Sequence, residues 1–480
     1  MRSVSDPHRV AVREVRLHER PVTFRLPFKF GAVTLTEAPQ VFVRARVAVD
    51  GRDGTGIAAE LLAPKWFDKN PALSNEQNFE QLRTSLCLAA GLYLAAAGAA
   101  PAPTAFALHA GLQPAHYRAC AARGLNGLIA SFGTALIDRA VIDAVCRIAG
   151  VSVFDAVQRN LLGITAHTTP DLYAEDLDGF LARRPAPDRI AVRHTVGMAD
   201  AITEADIAER RDDGLPESLE GVIAAYGHRH FKLKVGGDVD ADVDRLSRIA
   251  AVLDAIGEPY AVSLDGNEQF ADAAAVLALV ERIAAAPRLA RLWASTLYIE
   301  QPIARARALA EPIHALAARK PVALDESDAD VGVFPVGRAL GYAGISSKSC
   351  KGFYRALLNA ARAAAWNRDA GADRHFIIAE DLTTQAGIAV QQDFALAALV
   401  GATHVERNGH HFVDGFAGAP EPEQRRFAAA HPDLYDLRGG RARLRIAGGH
   451  VSLASLKTPG LAGACAPDWP AMTELPLASP

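Results

Sequence analysis

Cysteine is scarce in this chain. The five residues, Cys87, Cys120, Cys146, Cys350 and Cys465, are scattered, odd in number and without C-x-x-C spacing. That argues against a disulfide framework and a thiolate metal site, and for a reducing compartment. An excess of charge is also lacking. The 51 Lys and Arg against 55 Asp and Glu leave a net charge of −4, which does not suit a polyanion-binding surface, so no nucleic-acid partner is expected. The most apolar stretch, around Leu86 to Leu112, is rich in alanine and broken by Pro101 and Pro103; it is too interrupted for a membrane span. Met1 to Pro7 offer no apolar core for a signal peptide. The G-x-G-x-x-G turn of a dinucleotide-binding sheet is missing, and no self-similar repeat appears. These absences leave a cytoplasmic, soluble globular protein as the expectation. At 480 residues the chain can form two or three domains, or one large barrel with an extra domain.

What is present begins with strands. Val10 to Leu17 and Val41 to Val49 alternate apolar and polar residues, and the second run enters the turn signal Asp50-Gly51-Arg52-Asp53-Gly54. Leu26 to Thr36 reads as a loop or short hairpin. Gly56 to Leu62 follows, and Glu76 to Ala97 has helical spacing. Residues 98–125 open with a linker-like Ala/Pro run and carry no assignment. Helices are expected at Thr134–Gly150 and Ser152–Leu162, and a polar connection at 175–188. From Ile190 short apolar runs alternate with amphipathic helices. The runs are Ile190–His194, His230–Val235, Tyr260–Asp265, Leu297–Glu300, Val322–Asp325, Gly344–Lys348, Phe376–Ala379 and His404–Glu406; the helices include Ala241–Ile256, Ala274–Ala286 and Tyr354–Trp366. Strand–helix alternation on this scale predicts an α/β fold, a (β/α)₈ TIM-like barrel, with a doubly wound sheet as the rival. The expected domains are an α+β capping domain over 1–133, the barrel with its preceding helices over 134–430, and a strand-rich tail over 431–480 that returns to the capping domain.

The chemistry is concentrated at strand ends. In His230-Phe231-Lys232-Leu233-Lys234-Val235 the apolar residues share one face and the two lysines the other. A buried, unpaired ammonium is costly, so that face must be wet or meet carboxylates. Later strands end in Asp265, Glu300 and Asp325, and then in Lys348. Barrel enzymes work at the C-terminal ends of their strands. Three carboxylates converging there would repel one another unless a cation sat among them. All-oxygen ligands favour a hard ion, Mg²⁺ or Mn²⁺. Lys234 and Lys348, on the second and sixth strands, would face each other across the mouth. Such a site suits removal of a proton next to a carboxylate. Taken singly, each motif has a plainer reading: an edge-strand face, an Asp-Gly-Asn turn, a strand stopped by proline, a helix cap, a surface lysine. It is their order and spacing together that point to a site.

As a set, Lys232-Leu233-Lys234, Asp265-Gly266-Asn267, Glu300-Gln301-Pro302, Asp325-Glu326-Ser327 and Lys348-Ser349-Cys350-Lys351-Gly352 resemble the mandelate racemase/muconate lactonizing branch of the enolase superfamily. The resemblance implies Mg²⁺ (Mn²⁺ possible) on Asp265, Glu300 and Asp325, with Lys234 and Lys348 as an acid/base pair acting through a metal-stabilised enolate. It implies that Lys232 lowers the pKa of Lys234 and touches the substrate carboxylate. A lysine after the sixth strand points to the muconate-lactonizing type. Asn267, Glu326, Glu380, Asp381, Glu406 and Asn408 are candidate substrate contacts, with His410 and His411 beside them. Lys351 should point away from Lys348, unless a bulge lets it take that place. The capping segments Phe28–Thr34 and Leu61–Phe67 are expected to set specificity. The implied activity is an isomerase (racemase, epimerase or cycloisomerase) acting on a small carboxylate. A lyase, a metal-independent Schiff-base aldolase and a catalytically inactive barrel are the alternatives. A homo-oligomer, without a membrane partner, is expected.

Overall fold

The first three strands form an antiparallel meander: β1 (Val10–Phe30), β2 (Val33–Val49) and β3 (Arg52–Leu61). The computed structural model describes residues 8–30, 33–98 and 101–477. Met1 to Pro7, Gly31-Ala32 and Ala99-Ala100 therefore lie outside the described residues. The stretch from Leu26 to Thr36 is a hairpin, but a long one, with Phe30 still paired to Val33. On the sheet lie α1 (Asn75–Ala96), α2 (Ala105–Ala121) and α3 (Gly127–Ala149). Ser74 and Gln77 cap α1 reciprocally, and the Asn126 side chain accepts from the first amides of α3. Helix α3 is buried on nearly every face, with Asp138, Arg139 and Asp143 buried among its apolar residues. Gly56 of β3 lets it come close: a Cβ there would lie 1.9 Å from the Ala140 carbonyl oxygen.

Helix α2 occupies most of 98–125, a stretch with no expected element beyond its linker-like opening. Its inward face carries His109, His116 and Cys120 among alanines, so no clear apolar stripe marks it. A correction concerns 175–188, where Ala174–Ala182 forms a helix with Leu177, Phe180 and Leu181 buried.

The eight apolar runs are eight parallel strands: β4 (Arg189–Val196), β5 (His230–Lys234), β6 (Ala261–Asp265), β7 (Thr296–Glu300), β8 (Val322–Leu324), β9 (Gly344–Ser347), β10 (Phe376–Ala379) and β11 (His404–Arg407). Each pairs with the next, and β11 pairs back onto β4. That closure excludes the doubly wound sheet. Helices between the strands cover the outside, and Phe231, Leu233 and Leu264 bury their side chains against them. Tyr298, Ala323 and Ile378 cluster apart from the two main cores.

The tail divides. After the hairpin of β12 (Tyr435–Arg438) and β13 (Arg441–Leu444), β14 (His450–Ser452) adds antiparallel to β4 of the barrel, and β15 (Thr473–Leu475) pairs with β1 of the capping sheet. Among the described residues no helix is long and apolar enough to cross a membrane.

Candidate active site

The C-terminal ends of β5 to β11 meet under the capping domain. Alternation aims Lys232 and Lys234 of β5 into the barrel. The Lys232 ammonium lies 2.9 Å from Asp265 Oδ2, 2.8 Å from Glu300 Oε1 and 3.1 Å from Glu406 Oε2, and also contacts Glu380. The strands that supply these carboxylates, β6, β7, β10 and β11, are distributed around the barrel. Lys234 donates to Asp265 Oδ2 at 2.6 Å, so that one oxygen bridges the two lysines. Across the barrel, four strands on, Lys348 donates to Asp325 Oδ2 at 2.7 Å.

A tight 3₁₀ turn, Ser349–Lys351, follows β9 and brings Lys351 back toward the site instead of away from it. Its ammonium contacts Ser346 Oγ at 2.7 Å and Asp325 Oδ1 at 3.4 Å. Lys348 lines the chamber, while Lys351 contacts Asp325 and Ser346 beside it.

The loops are held firmly. Gln301 accepts from the backbone amides of Asp325 and Ser327 and donates to the Ile303 carbonyl at 2.8 Å. Gly266 must be glycine, because a Cβ there would lie 2.6 Å from Pro302 Cα. Asn267, Glu268 and Gln301 adopt left-handed backbone angles directly after Asp265 and Glu300; non-glycine strain of this kind persists only where the surroundings enforce it. Reaching toward the capping domain, Arg305 pairs with Glu268 and donates to the carbonyl oxygens of Trp66 (2.8 Å) and Phe67 (2.9 Å). The Trp66 ring lies 5.0 Å from the Lys348 ammonium. Phe28, Leu35, Ala63, Trp66 and Leu382 form an apolar roof over Lys234, Asn267, Asp325, Lys348, Glu406 and Asn408. The free space beneath it is about 30 Å³.

Burial dominates the electrostatics. It opposes the charge on every group here, and the neighbours decide the outcome. Burial, and then Asp265 and Asp325, push Glu300 up to about 7. Asp265 and Asp325 are held below the usual carboxylate range because their lysines outweigh burial. Glu380 is raised by burial and by Glu300 and Glu406. Burial would lower Lys348, but Asp325 and Glu380 hold it above the ordinary lysine value. Lys232 is likewise raised, against burial, by its four carboxylates. It is enclosed by acids, and Asp265 stands between it and Lys234.

The donor set fits a hard divalent cation. It is three strand-end carboxylates, all oxygen, and Glu300 Oε2 is buried without a hydrogen-bond partner among the described residues. The other expected residues separate into groups. Asn267, Asp381, Glu406 and Asn408 line the chamber. Glu380 lies deeper, against Arg193. Glu326 is turned aside to Asn267 Nδ2 (3.1 Å) and Lys69 (3.6 Å). The Asp381 carboxylate accepts from the backbone amides of Asn408 and Gly409, which shapes the last strand's loop. His410 and His411 are absent from the chamber lining.

Four participants escape the sequence reading: Arg193, Thr195, Ser346 and Lys69. Arg193 and Thr195 point inward from β4 to Glu380 and Glu406. The two-residue period of that strand, carried one residue past His194, would have shown them.

Known proteins share this architecture. Residues 214–432 match the family model described as enolase C-terminal domain-like. Muconate lactonizing enzyme from Pseudomonas fluorescens, complexed with muconolactone, superposes with a TM-score of 0.60 at 19% identity, over 97% of this chain and 98% of that one. An enolase from Bradyrhizobium, complexed with magnesium and mandelic acid, gives 0.58 at 20% identity, over 95% and 96%. Muconate lactonizing enzyme from Klebsiella pneumoniae gives 0.57 at 16% identity, over 94% and 96%. No curated protein matches the chain. Residues 214–432 are thus similar to that family, and nearly the whole chain shares the fold of these solved structures.

Proposed function

We propose that this protein is a Mg²⁺-dependent isomerase that removes and returns the proton next to a substrate carboxylate. The observation that carries this reading is the placement of Lys234 and Lys348. They stand on opposite strands of the barrel, line one roofed chamber, and are each paired to an expected metal ligand. Asp265, Glu300 and Asp325 would hold the ion, as suggested also by the relative complexed with magnesium and mandelic acid. Bound there, Mg²⁺ would supply positive charge that stabilises negative charge developing on a carboxylate. Lys234 takes the α-proton. Lys348, held as the ammonium by Asp325, returns a proton to the opposite face. In the reverse direction the roles exchange. Trp66, Phe28 and Leu382 exclude water from the exchange. Arg305 positions the Trp66–Phe67 segment that closes the roof.

One observation favours a second reading. Asp325 and the Trp66 ring together fix Lys348 as a cation. In a lyase, Lys234 alone would move the proton while Lys348 stabilised charge. A Schiff-base aldolase is less suited, since it would make no use of the three converging carboxylates whose oxygens fit a hard divalent cation. Incubation with candidate acids in D₂O separates the readings. Deuterium entering at the α-carbon, with inversion and without loss of water, supports the isomerase. Product lighter by one water supports the lyase. Absence of exchange with every acid tried, in parent protein that binds Mg²⁺, refutes both.

A further inference from the structure

Behind β4, outside the barrel, lies a cluster of histidines with no part in the chamber chemistry. Arg193 and Thr195 turn inward to meet Glu380 and Glu406, so His194 between them turns outward. His228 reaches the same place from the end of the helix Leu219–Tyr226. His410 comes from the short turn Gly409–Phe412 after β11. One ring nitrogen from each of the three lies within 4.8 Å of the others. The ring centroids form a near-equilateral triangle with sides of 5.4, 6.0 and 6.0 Å. Three imidazoles on a tetrahedral ion, with metal–nitrogen bonds of about 2.05 Å, place their ring centroids about 5.2 Å apart. A contraction of less than about 1 Å per side would complete the geometry.

The nitrogens are also in the right state. His228 Nδ1 lies 3.3 Å from the Val192 carbonyl. That contact orients the ring and leaves Nε2 as the ligand atom, as outer hydrogen bonds to metal-bound histidines do. His228 Nε2, His194 Nδ1 and both nitrogens of His410 are buried and have no hydrogen-bond partner among the described residues. His194 and His228 are 2% and 0% exposed. Buried polar atoms are rarely left unsatisfied, and here several face one point. Burial holds all three imidazoles below their ordinary pKa, with His228 at about 3, which keeps them in the neutral, metal-binding form. His411, 5.1 Å from His194 between centroids, stands alongside. Its carbonyl is held at 2.8 Å by Arg25, whose charge is taken up by Asp213. Tyr226 lies against His228 and His410. A simple stack of neutral core histidines would account for the His194–His228 pair. It would not account for a third ring whose two nitrogens are both idle.

We propose that His194, His228 and His410 form a trihistidine site for a borderline transition-metal ion, Zn²⁺ foremost, distinct from the carboxylate site inside the barrel. Three imidazoles leave one position open. His410 lines a cavity of about 250 Å³ together with Tyr226, Thr384, Arg407 and Arg443, so water or a small ligand can reach the ion from there. Imidazole donors select Zn²⁺, Cu²⁺ or Ni²⁺ over Mg²⁺, which lets the two sites be loaded separately.

The test uses the full-length protein, stripped of metal by chelator dialysis and then held in excess Mg²⁺. Titration with Co²⁺ should give the intense visible absorption of a four-coordinate ion, saturating at one equivalent and displaced by Zn²⁺. His410→Gln, in the short turn after β11, should weaken Zn²⁺ binding by about a hundredfold or more, and His228→Gln likewise. Asp325→Asn, in the carboxylate site, should leave the Co²⁺ spectrum unchanged. The proposal is overturned if no such absorption appears, if it persists unaltered in folded His410→Gln, or if Asp325→Asn abolishes it.

Discussion

Replacing Lys232 by methionine keeps the length of the side chain and removes its charge. In the parent protein the ammonium contacts four carboxylates, three of them at 2.8 to 3.1 Å. At an effective dielectric of about 20, each such contact is worth roughly 6 kcal/mol of Coulomb energy, most of which repays desolvation. Removing one partner of a buried ionic group costs about 3–5 kcal/mol net, because the opposite charge is left uncompensated. For a domain of barrel size that corresponds to a fall in Tm of roughly 6–10 °C, at about 2 °C per kcal/mol. The carboxylates left behind include two of the three expected metal ligands, Asp265 and Glu300, so the variant should gain more stability from Mg²⁺ than the parent does. Calorimetric melts of both proteins, in chelator and in saturating Mg²⁺, read all four values. If the variant is as stable as the parent in chelator, or if Mg²⁺ shifts both melts equally, the picture of Lys232 as the internal counter-ion of this site is wrong.

Lys348→Met should abolish proton exchange at one face of the substrate, and Lys351→Met should reduce it only severalfold, since Lys351 reaches the site through Asp325 and Ser346; stereospecific deuterium incorporation by NMR compares them. Arg305→Ala frees the Trp66–Phe67 backbone and should raise KM by about tenfold, while parent-like Mg²⁺ binding persists in calorimetric titration. Glu60, buried and paired to Arg139 at 3.0 Å, is pushed up to about 7 mainly by burial. The folded state therefore holds this proton more tightly than the unfolded chain. Its contribution is fully present below about pH 4.5 and is lost as pH rises through 7, on the order of 3 kcal/mol. Urea unfolding between pH 4 and 8 should show that decline in the parent and a flatter profile in Glu60→Gln.

The barrel was legible in the sequence because each strand carries its own signal, a short apolar run with an ionisable residue at or next to its end. Every run found in that way is a strand, and the closure follows from their number. The metal-ligand candidates were legible for the same reason, as the terminal residues of those runs. The setting of Lys232 was not. Two of its four acids, Glu380 and Glu406, lie well over a hundred residues away along the chain, and only the closing of the barrel brings them together. Helix α2 was hidden by its composition, where alanine, proline and inward histidines blur the period. The helix Ala174–Ala182 was hidden by acidic residues around a narrow buried stripe of Leu177, Phe180 and Leu181. The histidine cluster draws on three separate segments, so no local pattern announces it.

The central claim is that Asp265, Glu300 and Asp325 gather one divalent ion between the amines of Lys234 and Lys348. Crystals grown with Mn²⁺, with diffraction recorded on both sides of the manganese absorption edge, would locate the ion directly. The account predicts one strong anomalous peak bounded by those three carboxylates, with the two amines on opposite sides of it. A barrel mouth without that peak, or with both amines on the same side of it, would contradict the account.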